Sequence, residues 1–156
     1  LQYLADSPPT EAIALPEGSW GAGGKHSVWL NDETAWTWRR IHEAELDMRQ
    51  LVADLGAGHD STAAAFIRQA AVELLLMQAS DWQFLITTDS APDYAAARID
   101  GHYTDFKKCV AWTRRYCRGE WIRQAEWAEF GTMTERDHIF GDVNPLWFRD
   151  LRRPAY

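Results

Sequence analysis

Residues 17–31, with the sequence EGSWGAGGKHSVWLN, contain the residue types that are suited to binding a sugar. Four glycines fall within seven residues, and glycine lets a ligand or another chain segment approach the backbone closely. Trp20 and Trp29 frame most of this run, and an indole ring can stack on the apolar C–H face of a sugar. Polar groups for sugar hydroxyls come from Glu17, Ser19 and His26. We interpret the stretch as a substrate-lining loop; the alternative is that both tryptophans are tucked into the fold and the glycines only form a turn.

Metal chemistry is not indicated by the histidines and cysteines. The five histidines and two cysteines show neither the His-x-x-x-His nor the Cys-x-x-Cys spacing that zinc sites use. His102 lies beside the apolar stripe of a predicted helix and is interpreted as a hydrogen-bonded interior or interface histidine. We therefore predict no metal ligands.

Nucleophile and phosphate motifs are also absent from the glycine-rich loop. Gly18 adjoins Ser19, whereas the Gly-x-Ser-x-Gly elbow of hydrolases has its first glycine two residues before the serine. Lys25 follows the last glycine but is not followed by Ser or Thr, as a phosphate-binding loop requires.

A pair of catalytic carboxylates would need two acids that converge in a cleft about 5–9 Å apart. Glu73 falls inside an apolar helix and is interpreted as a buried structural acid, bonded to an arginine or a helix end. Nothing in the sequence brings two acids together, so no catalytic residue is predicted. Most acids fall on the solvent faces of predicted helices, among them Glu43, Asp47, Asp54, Glu120, Glu126 and Glu129.

Composition limits the possible partners and compartments. The 156 residues carry a net charge of −7, which argues against a nucleic-acid partner because such partners usually need a basic face. No apolar run approaches the roughly 20 residues of a membrane span. Cys109 and Cys117 would lie about 12 Å apart along one helix, too far for a disulfide. Free thiols fit a cytoplasmic protein.

The elements that position the loop are predicted to be helices. Asn31 is a suitable N-cap for a helix that ends at Leu55 before Gly56, with an apolar stripe that includes Trp38, Ile41 and Met48. Further helices are predicted from Asp60 or Ser61 to Gln78, at 81–87 with Ser80 as its cap, from Pro92 to Arg118, and at 120–130.

Several finer predictions accompany these helices. Gly119 and Gly131 are expected to end the last two helices, and Ala125 is expected to face inward. Residues 134–140 are expected to form a last turn or two, and residues 27–30 a brief extended piece. Strand signals are almost absent. The predicted fold class is therefore mainly α, a bundle of about five helices with a Gly/Trp-rich irregular N-terminal segment.

These motifs resemble a known family. The runs LPEGSWGAGGKHSVWLNDETAWTWRRIHEAE at 15–45 and QASDWQFLITT at 78–88 are similar to the C-terminal α-helical domain of glycoside hydrolase family 57, specifically its 1,4-α-glucan branching enzymes. The similarity also includes YLADSPPTEAIALP, the 102–106 segment and the final IFGDVNPLWF, so it covers nearly the whole chain.

The resemblance implies an activity that this chain cannot perform alone. Family members use a (β/α)7 barrel with a Glu nucleophile and an Asp acid/base to transfer an α-1,4 glucan chain to a 6-hydroxyl with retention. The resemblance implies no metal or organic cofactor. It implies that Trp20 and Trp29 line the sugar cleft, with Asp81 as a weaker candidate for a hydroxyl contact.

The domain organisation expected from the resemblance is one helical domain over 1–156. Residues 1–30 would form the irregular substrate-facing segment and 31–156 the bundle. Because Leu1 opens in what looks like mid-element without a Met, we expect this to be the C-terminal part of a longer enzyme whose barrel is its partner. The alternatives are a standalone glucan-binding or protein-interaction module without catalysis, or part of a family 57 α-glucan hydrolase.

Overall fold

The chain is an all-helical bundle in a computed structural model that describes residues 6–8, 10–55 and 60–149. Within these ranges no strand forms, which confirms the predicted fold class. The α-helices are α1 Ala35–Leu55, α2 Ser61–Met77, α3 Asp81–Thr87, α4 Pro92–Cys117 and α5 Gln124–Arg136. Short 3-10 helices form at Ala22–Gly24, His26–Val28 and Pro145–Phe148. Among the described residues, every helix is too short or too polar to cross a membrane.

Two predicted N-caps make the expected hydrogen bonds, although α1 begins only at Ala35 and Asn31 therefore caps the turn that leads into it. The Oδ1 atom of Asn31 accepts from the backbone N–H groups of Glu33 and Thr34, at 2.9 and 3.1 Å. The Oδ1 atom of Asp60 accepts from the first amides of α2 at 2.9 and 3.0 Å. These bonds satisfy donors that have no partner within the helix. Gly56, the predicted stop of α1, lies outside the described residues.

The predicted boundaries of α5 are wrong at both ends. The helix begins after Arg123, because Glu126 accepts from the Arg123 backbone N–H and so closes a capping box at that point. It then continues through Gly131 to Arg136. A glycine inside a helix costs only about 1 kcal/mol relative to alanine, so it need not end one. Residues 134–136 therefore belong to α5.

Other local predictions have mixed outcomes. Gly119 follows α4 with a φ of +75°, as expected of a glycine stop. Ser80 precedes α3, but its side chain makes no capping hydrogen bond. Residues 26–28 form a 3-10 turn instead of the extended piece that the sequence suggested. Ala125 is exposed, contrary to the prediction, and the neighbouring Glu126 is buried, because Glu126 accepts hydrogen bonds from Arg115 and from the Arg123 backbone.

The core lies between α1, α2 and α4. α4 packs against α1, α2 and α3, and its buried Phe106 lies in one cluster with Met48 of α1 and Leu74 of α2. Phe66 of α2 is surrounded by aromatic rings 4.7–6.2 Å away, from Trp112, Tyr116, Trp127 and Phe130. Several tryptophans thus serve the core, which leaves a few for the surface.

The Glu126→Gln variant tests whether this carboxylate stabilises the start of α5. Hydrogen bonds from Arg123 and Arg115 hold the pKa of Glu126 far below its ordinary value of 4.5. The unfolded chain therefore takes up this proton at a higher pH than the folded chain. The stabilisation is complete above about pH 5 and decreases as the pH falls below that value.

We expect Glu126→Gln to be less stable near neutral pH and to lose less stability than the wild type between about pH 5 and pH 3. Thermal unfolding at several pH values measures both effects. Glu135→Gln, at an exposed position of the same helix, is the control. A wild-type pH dependence in Glu126→Gln would contradict the expectation.

Candidate functional site

Glycine is required at position 21 by the close packing of the loop. A Cβ atom there would lie 2.6 Å from the carbonyl oxygen of Lys25 and 3.0 Å from the ring of Trp29. Gly23 and Gly24 have φ angles of +65° and +69°, which L side chains rarely adopt. The glycine run therefore folds the loop tightly against Trp29.

The loop brings Trp20 and Trp29 together with Phe84 of α3. The ring centroid of Trp20 lies 6.5 Å from that of Trp29 and 6.2 Å from that of Phe84, both in tilted geometry. The Trp20 side chain is nevertheless 84% exposed. We call these three rings the tryptophan wall. The sequence left open whether the tryptophans line a ligand surface or are tucked into the fold. Trp20 is exposed, whereas Trp29 is partly buried.

Trp29 is fixed on both its side chain and its backbone. Its Nε1–H donates to the carbonyl oxygen of Ser80 at 3.1 Å, between α2 and α3. Its own carbonyl oxygen accepts from Trp38 Nε1 at 2.7 Å and from Thr34 Oγ1 at 2.9 Å. Both bonds to the carbonyl come from the first turns of α1 or the turn that precedes it. Trp29 therefore joins the loop to both sides of the bundle.

A second joint holds the loop against α3. The hydroxyl of Thr87 donates to the carbonyl oxygen of Val28 at 2.7 Å and accepts from Asn31 Nδ2 at 2.8 Å. Asn31 Nδ2 also donates to the carbonyl oxygen of Ser27 at 2.8 Å. The residue that caps α1 is therefore also the residue that ties the loop to α3.

Asp81 lies exposed in the first turn of α3, directly after Ser80. It is therefore at the end of α3 that receives Trp29, and it is three residues before Phe84, a spacing that places two side chains on one helix face. The other polar candidates are close to each other, because His26 Nε2 lies 3.2 Å from Glu17 Oε1 at an exposed position.

Sequence reasoning missed Phe84, Thr87 and the carbonyl of Ser80. All three lie in or beside the QASDWQFLITT segment, from which only Asp81 was selected. The i, i+3 spacing of Asp81 and Phe84 was the available signal.

Glu73, His102 and Asp137 form the one group in the described residues whose potential ligand atoms all lie within 4.8 Å. Hydrogen bonds account for it. The Nδ1 atom of His102 lies 2.7 Å from Glu73 Oε2, and its Nε2 atom lies 2.9 Å from Arg98 Nη2. Arginine has only donors, so Nε2 must accept and Nδ1 must carry the proton that Glu73 receives.

Burial raises the pKa of Glu73, whose other oxygen accepts from Gln69 Nε2 at 2.8 Å. Both ring nitrogens of His102 are therefore engaged in hydrogen bonds, Nδ1 with Glu73 and Nε2 with Arg98. The group is a buried polar network that links α2, α4 and the end of α5. The prediction that His102 is an interior, hydrogen-bonded histidine is confirmed.

Comparison with known proteins decides the family. The family model described as "1,4-alpha-glucan branching enzyme, C-terminal" matches residues 40–148. The chain belongs to this family. The branching-enzyme C-terminal domain is thus the framework on which the tryptophan wall is built.

Individual relatives agree with this assignment. The domain is 43% identical over 131 residues, 84% of its length, to the 1,4-alpha-glucan branching enzyme of Thermococcus kodakarensis, of which it covers 19%. It is 33% identical over 112 residues, 64% of its length, to a probable 1,4-alpha-glucan branching enzyme of Mycobacterium tuberculosis, of which it covers 20%. The domain thus spans about a fifth of the length of these relatives.

Solved structures show the same fold. The GH57-type branching enzyme of Pyrococcus horikoshii superposes with a TM-score of 0.83 at 34% identity, over 99% of this chain and 29% of that one. The GH57 branching enzyme of Thermococcus kodakaraensis, solved in complex with glucose and additives, gives 0.82 at 38% identity, over 99% and 28% of the two chains.

Gly21→Ala tests the close packing of the loop. The added methyl group would meet the Lys25 carbonyl at 2.6 Å, so the loop must shift. We expect a local cost of about 1–3 kcal/mol. Hydrogen–deuterium exchange at the Trp29 amide, which donates to the His26 carbonyl at 2.9 Å, should accelerate. Gly18→Ala is the control because nothing lies within 4 Å of its Cβ position. Equal exchange in the two variants would refute this explanation.

Thr87→Val tests the joint between the loop and α3. Valine keeps the shape but leaves the Val28 carbonyl and an Asn31 donor without a partner, at a cost of about 1–3 kcal/mol. The control is Thr88→Val, directly after α3, where the exposed hydroxyl of Thr88 donates to the carbonyl oxygen of Phe84. We expect the control to cost less than about 0.5 kcal/mol. Chemical denaturation compares the two, and equal losses would be evidence against the joint.

Proposed function

We propose that this domain forms one wall of the α-glucan-binding cleft in an intact 1,4-α-glucan branching enzyme, with Trp20 stacked on a glucose ring. The observation that carries the proposal is the exposed Trp20 indole, held in place by Trp29 and Phe84 on the C-terminal domain of a branching-enzyme family. A large aromatic ring that is exposed yet firmly supported is typical of a binding surface rather than of a core.

The tryptophan wall and two exposed carboxylates, one at the start of α3 and one in the loop, offer both kinds of contact that a sugar uses. Trp20 supplies a flat apolar face, while Asp81 and Glu17 are exposed carboxylates that can accept hydrogen bonds from hydroxyl groups. The N–H group of the second indole, Trp29, already donates to the Ser80 carbonyl, so it does not donate to a sugar. The role of Trp29 in this proposal is to support Trp20. A relative of this domain has been solved with glucose, which is consistent with this chemistry.

The chemical step belongs to residues outside this chain. In a retaining transfer, a carboxylate displaces the leaving chain from C1 while an acid protonates the glycosidic oxygen, and a covalent glycosyl-enzyme forms. The 6-hydroxyl of an acceptor then attacks C1 and gives its proton to the same acid/base residue. The proposed partner is a catalytic (β/α)7 barrel of the same protein.

The contribution of this domain is to position the glucan and to exclude water. A glycosyl-enzyme reacts with whichever hydroxyl reaches C1, so transfer competes with hydrolysis. A tryptophan face that holds a glucan chain close to C1 favours the acceptor over water. Branching is thus preferred here over hydrolysis, the alternative activity within the family.

The cellular setting follows from the same proposal. Branching of α-1,4 glucan belongs to the synthesis of a storage polymer of the glycogen type. Cys109 and Cys117 are both free thiols, as the sequence predicted, and this supports a reducing cytoplasm.

Trp20→Ala in the intact enzyme tests the proposal. Loss of the stacking face should lower branching of amylose about tenfold, which corresponds to about 1.4 kcal/mol, and should raise the share of hydrolysis. The fall in iodine colour measures branching, and new reducing ends measure hydrolysis. The control is Trp147→Ala, which removes a 63% exposed tryptophan from the 3-10 helix at Pro145–Phe148.

Trp20→Phe should retain part of the activity because a smaller aromatic face remains. Thermal unfolding should show all three variants folded, since both indoles are largely exposed. Wild-type branching by Trp20→Ala would refute the proposed role of the wall.

A further inference from the structure

A second displayed tryptophan lies between α4 and α5. The Trp121 side chain is 81% exposed, nearly as much as that of Trp20. It borders an open hollow of about 210 Å³. The lining residues are Tyr116, Gly119, Glu120, Trp121, Ile122 and Trp127. Three of these six side chains are aromatic.

The segment that carries Trp121 is held in one conformation. The Arg115 guanidinium donates to the carbonyl oxygen of Trp121 at 2.6 Å and to Glu126 Oε1 at 2.6 Å. Glu126 also receives the backbone N–H of Arg123 at 2.8 Å. Below the hollow, Trp127 stacks on Phe66 at a centroid distance of 5.1 Å. The exposed indole is therefore presented by a fixed frame, which lowers the entropy cost of binding a ligand.

The charges around Trp121 compensate one another. Arg115 and Arg123 are paired with Glu126, and Arg118 is paired with Glu120 at 2.6 Å. An anionic partner such as nucleic acid or a phosphorylated peptide would have to compete with these carboxylates. An uncharged ligand that has an apolar face and many hydroxyl groups would not, and it could use the exposed guanidinium and carboxylate groups as hydrogen-bonding partners.

The Trp121 surface is separate from the tryptophan wall. Tyr116, which lines the hollow, donates through its hydroxyl to Asp60 Oδ2 at 2.9 Å, and Asp60 caps the N-terminus of α2. Trp29 is bonded instead to Ser80, beyond the C-terminus of α2. Because α2 has 17 residues, the two surfaces lie about 25 Å apart along its axis.

We propose that the Trp121 surface is a second α-glucan-binding site, which holds a distant part of a long glucan chain or a neighbouring branch. The inference rests on the proposed function for the class of ligand, but not on the role of Trp20. A polymer can occupy sites at both ends of α2 at once, whereas a short oligosaccharide can occupy only one. The second site therefore raises affinity for long or branched glucans and leaves the reacting bond untouched.

The test compares Trp121→Ala with Trp147→Ala in the intact enzyme. Native electrophoresis in gels with increasing amylopectin gives an apparent dissociation constant from the retardation of each protein. We expect Trp121→Ala to bind amylopectin about threefold to tenfold more weakly than the wild type, and Trp121→Phe to recover part of the loss. Trp147→Ala should be retarded as the wild type is. Branching of short amylose should be the same in all of these proteins.

The other outcomes distinguish a failure of this inference from a failure of the proposed function. If Trp121→Ala is retarded as strongly as the wild type, the second site is refuted. The proposed function still stands in that case if Trp20→Ala has lost branching activity. Unchanged retardation with a lower melting temperature of the intact enzyme would assign Trp121 to a domain interface. If Trp20→Ala branches normally while Trp121→Ala still loses retardation, the role of the wall fails and the second site survives.

Discussion

The position of Trp29 is the constraint on which the rest of the site depends. Its indole N–H reaches the carbonyl of Ser80, and its own carbonyl receives the indole N–H of Trp38. These bonds fix one aromatic ring between α1 and the α2–α3 junction, and that ring in turn supports Trp20. Position 21 requires glycine because a Cβ atom there would lie only 3.0 Å from this ring. Without a fixed Trp29, the glycine-rich loop would lose the ring that it packs against and its hydrogen bonds to α1 and to Ser80.

The sequence predicted the helices well where a single residue determines a helix end. Asn31, Asp60 and Gly119 act through their own side chain or backbone angle, so local chemistry is sufficient to identify them. It failed at the start of α5, where Glu126 closes a capping box with the Arg123 backbone N–H and is also held by Arg115 of α4. It also failed at the end of α5, because a glycine inside a helix costs only about 1 kcal/mol and Gly131 does not stop the helix.

The candidate site was predictable in its residue types but not in its assembly. Two tryptophans around a glycine run were enough to select the loop. The partition into an exposed Trp20 and a supporting Trp29 was not, because it requires α3 to pack against the loop. Thr87 and Val28 are 59 residues apart in sequence and meet through one hydrogen bond. Glu73 was correctly read as a buried acid, but its partners proved to be His102 and Gln69 rather than an arginine or a helix end.

The Asn31 side chain limits the motion of the loop, because it bonds both to the start of α1 and to the loop. Its Oδ1 atom caps α1, while its Nδ2 atom binds Thr87 and the Ser27 carbonyl. A swing of the loop away from the bundle would therefore break the start of a 21-residue helix as well as the loop contacts. Such a loop moves with the bundle as one rigid piece and is unsuited to act as a lid.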